Sequence, residues 1–152
     1  MYRNACSAML FAALGLLVSC TGDDESATDP INLPDTVVGR CVDFPADSPD
    51  TVEAFPYTEC DVAHSHEIFA VITNPAREYP GFEALEEYAQ VECLAAFDDY
   101  VGISAFDSTL FYSWIVPSLG SWNSTEKDRQ VVCVAGSGDG RDLIGSVKGT
   151  RI

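Results

Sequence analysis

An apolar run that ends in a cysteine occupies the first twenty residues, and it decides where the rest of the chain can fold. Arg3 gives a positive start, and residues 8–18 (AMLFAALGLLV) are apolar apart from one glycine. Eleven helical residues span about 16 Å, roughly half of a hydrocarbon core. The run is therefore typical of an export signal and is too short for a membrane span.

The four residues that end this run, Leu17-Val18-Ser19-Cys20, fit the bacterial lipobox. The sequence predicts a lipoprotein signal peptide over residues 1–19 and fatty-acyl (palmitate-type) modification of Cys20. Several acyl chains on one residue anchor a protein stably, so we expect a lipid-anchored chain on the extracytoplasmic face of the cell membrane. The alternative is an ordinary secretory signal in which Cys20 is incidental.

Removal of residues 1–19 takes away one cation, Arg3, and no acid. The remaining side chains carry 7 basic and 24 acidic groups, a balance of −17. Such a charge repels phosphate backbones and anionic head groups, which excludes nucleic acid as a partner. Segment 20–36 is acidic and interrupted by Pro30 and Pro34, so we predict a flexible tether. Residues 37–152 remain as one folded domain.

Four cysteines remain in the exported domain once Cys6 leaves with the signal and Cys20 is acylated. An even number in an exported chain predicts two disulfides, and four cysteines allow three pairings. We favour Cys41–Cys60 and Cys93–Cys133, and buried free thiols are the alternative. The four cysteines are Cys41, Cys60, Cys93 and Cys133.

The residue pattern predicts an α+β fold, in which a small, mostly antiparallel sheet carries one main helix on one face. The helix is predicted over Phe82–Tyr100, because apolar residues recur there at steps of three and four. Cys93 lies on its apolar face and Cys133 on the inner face of a strand, which favours their pairing. The predicted strands are Val37–Phe44, Thr51–Phe55, His66–Thr73, Thr109–Val116, Arg129–Ala135 and a closing strand Arg141–Val147 after a hairpin turn at Gly136–Gly140.

The surroundings of these cysteines resemble the septum-formation domain of actinobacterial envelope lipoproteins. The resemblance implies an association with cell division and names no reaction or ligand. This chain departs from the family pattern at Arg40, Ala63 and Lys127. The matching segments are Gly39–Val42, Cys60–Ile68 with His64 and Glu67, Tyr79-Pro80-Gly81, Trp122 with Asp128-Arg129 and Cys133, and Gly145–Gly149.

The densest group of metal-ligand side chains follows Cys60 and comprises His64, His66 and Glu67. Alternate positions on a strand would place the two histidines on one side, as a Zn²⁺ or Cu²⁺ site requires. A cysteine in a disulfide cannot be a ligand, however. The simpler hypothesis is a structural hydrogen-bond pair of His64 and Glu67 beside the disulfide, joined by Arg129.

An aromatic stretch supplies the second candidate surface. If one sheet face is uncovered, Tyr112 and Trp114 would project from it together and, with Trp122, could bind a glycan or a protein. The alternative is that these rings fill a small second core under the loop of residues 117–125.

We find no catalytic constellation in the sequence, and no cofactor is predicted. The leading hypothesis is a non-catalytic interaction module of the cell envelope, with an envelope protein or a cell-wall component as partner. The second hypothesis is metal binding or metal-dependent hydrolysis at His64, His66 and Glu67.

Overall fold

The computed structural model describes residues 37–44 and 56–152 of the chain. The predicted strand Thr51–Phe55, the signal peptide, Cys20 and the tether lie outside these residues. The elements, in chain order, are β1 (Cys41–Val42), β2 (Tyr57–Thr58), β3 (His66–Thr73), α1 (Phe82–Val101), β4 (Leu110–Ile115), α2 (Leu119–Trp122) and β5 (Gln130–Ser137).

Within the described residues the strands form one antiparallel sheet in the order β2-β1-β3-β5-β4. Helix α1 covers one face of it, which confirms the predicted α+β fold. The predicted strand His66–Thr73 is confirmed as β3, whereas the predicted strand Val37–Phe44 is reduced to the two residues of β1. No helix in this part of the chain is long and apolar enough to cross a bilayer.

Helix α1 forms because its apolar residues recur on one face, and it ends one residue later than predicted. Gly102 terminates it in a left-handed conformation (φ 84°), and its N–H donates to Asp98 O. The face turned to the sheet is fully buried. It consists of Leu85, Ala89, Cys93, Phe97 and Val101.

The two predicted disulfides are both present. Cys93 and Cys133 are completely buried, and their bond joins α1 to β5 in the middle of the main core. The bond between Cys41 and Cys60 joins β1 to the turn that follows β2. A smaller apolar cluster lies on the opposite sheet face, and its buried members are Val37, Val42, Ile68, Val132 and Val134.

The predicted closing strand Arg141–Val147 is wrong. Strand β5 already pairs with β3 on one side and β4 on the other, so it has no free edge for another strand. The chain turns after Ser137, where the Gly140 N–H donates to the Ser137 carbonyl over 3.1 Å, but no hairpin follows. Residues 141–147 instead make a single β-bridge, from Leu143 to His64.

Candidate functional site

Glu67 lies at the centre of the first candidate site, on the face of β3 that turns toward the helix. It pairs across the sheet with Ala135, a residue of the main core, and its side chain is fully buried. Three donors reach its carboxylate: Tyr100 Oη at 2.6 Å, Ser146 Oγ at 2.7 Å and the Val147 backbone N at 2.6 Å. We call Glu67, Tyr100, Ser146 and Val147 the carboxylate cluster.

The phenol of this cluster remains protonated over the ordinary pH range. Burial raises the pKa of Tyr100 well above its usual value, and the hydrogen bond to Glu67 and the charge of Glu67 raise it further. The Lys148 ammonium lies 5.6 Å from the centre of the Tyr100 ring. A buried carboxylate that accepts three hydrogen bonds holds its donors firmly, because each of these hydrogen bonds is charge-assisted. The cluster thus fixes the segment after residue 145 to β3 and α1.

His64 precedes β3, and hydrogen bonds from its backbone hold it to another segment. Its N–H and carbonyl both bond to Leu143, over 3.1 and 2.8 Å, and its imidazole Nδ1 lies 2.8 Å from the Val62 carbonyl oxygen. The other ring nitrogen is buried and makes no hydrogen bond to the described residues. The predicted hydrogen-bond pair of His64 and Glu67 is therefore wrong, because Glu67 takes its donors from Tyr100 and from residues 146 and 147.

His66 occupies the opposite face of the sheet. Its ring makes edge contacts with Phe44 and Phe111, at centroid distances of 5.4 and 5.7 Å. Burial lowers the pKa of His66, and the neighbouring His64 lowers it further. Across residues 37–44 and 56–152, no three side chains of the metal-binding types come together as a site. The proposed set His64, His66 and Glu67 is thus not assembled.

Trp122 and Arg129 form a second cluster at the loop between β4 and β5. Trp122 is only 1% exposed, and the Arg129 guanidinium carbon lies 3.9 Å from the centre of its ring. Arg129 Nη1 donates to the carbonyls of Trp122 and Asp128 over 2.6 and 2.9 Å. Tyr79 meets the indole edge to face at 5.7 Å. We call Tyr79, Trp122, Asp128 and Arg129 the tryptophan cluster.

Asp128, the remaining member of the tryptophan cluster, is positioned by hydrogen bonds to the loop backbone. Its Oδ1 accepts the Gln130 N–H over 3.0 Å, and its own N–H donates to the Ser121 carbonyl over 3.2 Å. Burial raises the pKa of Asp128 above its usual value. The expected binding role of Trp122 would need an exposed ring, and this ring is buried under Arg129. Arg129 itself belongs here and does not join His64 and Glu67 as predicted.

Tyr112 and Trp114 project together from β4, but onto the face that the helix covers. Both pack against the main core, and the Tyr112 ring lies 5.9 Å from the rings of both Phe97 and Trp114. The Trp114 indole N–H donates to Glu86 Oε1 of α1 over 3.0 Å. They therefore neither line an uncovered sheet face nor fill a separate core under the loop of residues 117–125.

The sequence pattern does not identify Tyr100, Ser146 and Val147 as the partners of Glu67. One signal was available, because the resemblance described above covers both the segment around Glu67 and the segment around Ser146. Chemically, both clusters use their polar groups to hold loops on the sheet. Each cluster joins segments that lie far apart in the sequence.

Searches of curated proteins and of solved structures found no significant match to the chain. A family model described as septum formation matches residues 3–133, which is most of the chain. The match contains Glu67, Tyr100 and all of the tryptophan cluster, and it ends at Cys133. The chain belongs to the septum-formation family, and this membership links it to a role in septum formation.

Proposed function

We propose that this chain is a lipid-anchored, extracytoplasmic interaction module of the cell envelope that contributes to septum formation by binding and not by catalysis. Its partner would be an envelope protein or a cell-wall component. Three observations support the proposal: the family membership, the lipobox that ends at Cys20, and the two disulfides.

The disulfide at the centre of the core is the observation that carries the proposal. Disulfides persist in oxidising compartments and are rare in a reducing cytosol. Cys93 and Cys133 are fully buried and join the only long helix of the described residues to β5, so the bond is part of the fold. A domain built around such a bond fits the export that the first twenty residues predict.

The assignment to binding rests on how the polar side chains are used. The carboxylate of Glu67 and the guanidinium of Arg129 are the charged groups at the centres of the two clusters. Both are occupied by hydrogen bonds within the fold. Their arrangement supports a rigid scaffold that presents a surface.

Mass spectrometry of the protein purified from membranes tests the address. We expect a chain that starts at an acylated Cys20 and contains four cysteines joined in two disulfides. The Cys20→Ala variant should leave the membrane fraction. A product with an intact Met1 and four reactive thiols would contradict the anchor and the compartment together.

Fluorescence microscopy of dividing cells tests the role. A fusion to the full chain should be enriched at division sites, and its crosslinked partners should be recovered from the envelope. The Cys20→Ala variant is the matched control, because it alters the anchor and leaves the domain intact. Wild-type protein spread evenly over the cell surface would contradict a function in septum formation.

A further inference from the structure

Strand β4 forms one outer edge of the sheet, and its backbone alternates between the sheet and the outside. The Thr109 carbonyl accepts the Gly138 N–H over 2.9 Å, so Thr109 faces β5. Backbone groups in an antiparallel pair alternate in direction, so Phe111, Ser113 and Ile115 also face β5. The backbone groups of Leu110, Tyr112 and Trp114 therefore point away from the sheet.

These outward groups are open for pairing. The Leu110 N–H donates to Ser108 Oγ over 3.0 Å, so that only the carbonyl of Leu110 remains for an added strand. The N–H and carbonyl groups of Tyr112 and Trp114 have no hydrogen-bond partner within residues 37–44 and 56–152. Natural edge strands usually carry a charge, a proline or a bulge that prevents pairing with another chain. Strand β4 (LFYSWI) has none of the three.

We propose that the β4 edge binds an extended segment of a partner protein as an additional strand, and that this segment alternates basic and apolar residues. The inference rests on the proposed function and names the surface and the class of partner for it. Strand addition is a general mode of peptide recognition in which backbone hydrogen bonds provide affinity and alternate side chains provide specificity.

The surroundings of β4 determine the chemistry of the added strand. On the helix side, Glu86 lies against Trp114, and Glu83, three residues earlier on the same side of α1, is exposed. On the opposite side, the Phe111 ring is 41% exposed. Because successive side chains of a strand point to opposite faces, basic residues would meet the glutamates while apolar residues meet Phe111.

Charge also argues against a second copy of this chain as the added strand. Each processed copy carries 7 basic and 24 acidic side chains, a balance of −17, so two copies repel each other. The predicted tether is acidic and contains two prolines, which makes it equally unsuitable. A basic extended segment is attracted by the same field.

Residue-resolved hydrogen exchange on the purified full chain tests the proposal with a short synthetic peptide that alternates valine and lysine. Binding should slow exchange of the Tyr112 and Trp114 amides at least about tenfold, because these amides gain acceptors. The Phe111, Ser113 and Ile115 amides already pair with β5 and serve as internal controls.

Two matched peptides separate backbone pairing from charge. An N-methylated form of the valine–lysine peptide keeps every side chain but loses its donors, so its affinity should fall at least about tenfold. A valine–glutamate peptide should not bind measurably. Equal binding by the N-methylated form would overturn strand addition, and equal binding by the glutamate form would overturn the basic partner.

Two protein variants locate the charge. Glu86→Gln keeps the acceptor for Trp114 and should weaken binding of the valine–lysine peptide several-fold. Glu92→Gln makes the same charge change near Tyr88, whose hydroxyl donates to Thr73 of β3, two strands away from the β4 edge. This variant should have no effect on peptide binding. Equal effects of the two variants would contradict the assigned position of the basic residues.

Two further outcomes would overturn the inference. Protection of the Tyr112 and Trp114 amides without peptide, in a protein with the mass of a dimer, would show that a second copy occupies the edge. Failure of the valine–lysine peptide to bind, while the native protein still retains its crosslinked envelope partners, would exclude this surface and leave the proposed function intact. Loss of partners and of septal enrichment contradicts the proposed function itself.

Discussion

The carboxylate cluster and the tryptophan cluster do the same task with different chemistry. Each fastens an irregular segment to the sheet: the first holds residues 146–148, and the second holds the loop between β4 and β5. In the first, hydrogen bonds converge on the buried charge of Glu67. In the second, a flat cation covers a buried aromatic ring, and its hydrogen bonds end on backbone carbonyls. Hydrogen bonding to a buried carboxylate thus holds the first segment, whereas packing on a buried ring holds the second.

Removal of the buried ring should have the largest effect on stability. We expect Trp122→Ala to reduce the free energy of unfolding by about 4 kcal/mol, because it leaves a cavity and removes the surface on which Arg129 stacks. Urea unfolding monitored by circular dichroism measures this change. Trp122→Phe is the control and should recover more than half of the loss. A loss below about 1 kcal/mol for the alanine variant would show that packing does not fix this loop.

Removal of the buried carboxylate should come next. Glu67→Ala leaves three donors without an acceptor, and we expect a loss of about 3 kcal/mol in the free energy of unfolding. Glu67→Gln should lose less than half as much, since its carbonyl can face the Val147 N–H while its amide donates to the two hydroxyls. Urea unfolding measures both variants. Equal losses would indicate that the negative charge itself, and not hydrogen bonding, stabilises the cluster.

Exchange of one cation for another distinguishes stacking from simple charge in the tryptophan cluster. Arg129→Lys keeps the charge but loses the planar group and its paired donors, so we expect a loss of about 1–2 kcal/mol in the free energy of unfolding. Arg141→Lys is the matched control, because Arg141 is exposed and pairs with Asp139 at the surface. The control should show no measurable change. An Arg129→Lys variant as stable as the wild type would exclude a role for stacking.

The phenol of the carboxylate cluster should give the smallest effect, and one that depends on pH. Tyr100→Phe removes one of three hydrogen bonds to Glu67, and we expect a loss of about 1 kcal/mol at pH 7. The folded-state pKa of Tyr100 is raised, so its contribution is complete below the unfolded value of about 10 and is lost as pH rises above it.

The gap in stability between wild type and Tyr100→Phe should therefore narrow above pH 10. Urea midpoints of both proteins at pH 8, 9 and 10.5 measure the gap. Trp122→Phe, which removes no phenol, is the control for general alkaline destabilisation. A gap that stays constant over this range would contradict the protonated phenol as the donor.

The sequence predicted the elements that depend on local pattern. The β-branched residues of His66–Thr73 favour a strand, and the apolar face of α1 favours a helix packed on a core. Neither preference depends on which segment is the partner. The pairing of Cys93 with Cys133 followed from the same reasoning, because both residues occupy inner faces. Local pattern was sufficient for these elements because the residues themselves carry the information.

The errors concern relations between distant residues. Residues 141–147 were predicted as a strand because a turn precedes them, but β5 is already paired on both sides and has no edge for a hairpin partner. Strand β4 is apolar on both faces, so its pattern does not show which face the helix covers. The burial of Trp122 depends on Arg129 and Tyr79, whose approach is a property of the folded loop. In all three cases the outcome depends on how distant segments meet in the fold, which local sequence does not show.

The carboxylate cluster also constrains the order of events during synthesis. Glu67 takes two of its three donors from residues 79 and 80 positions further along the chain. Until those residues emerge, whether from a ribosome or from a translocation channel, its carboxylate would have to be buried with most of its donors missing. While the chain emerges from its N-terminal end, β3 should therefore stay hydrated and the chain should remain unfolded enough to pass through a channel. The contacts of residues 146 and 147 form last and should complete the domain in one cooperative step.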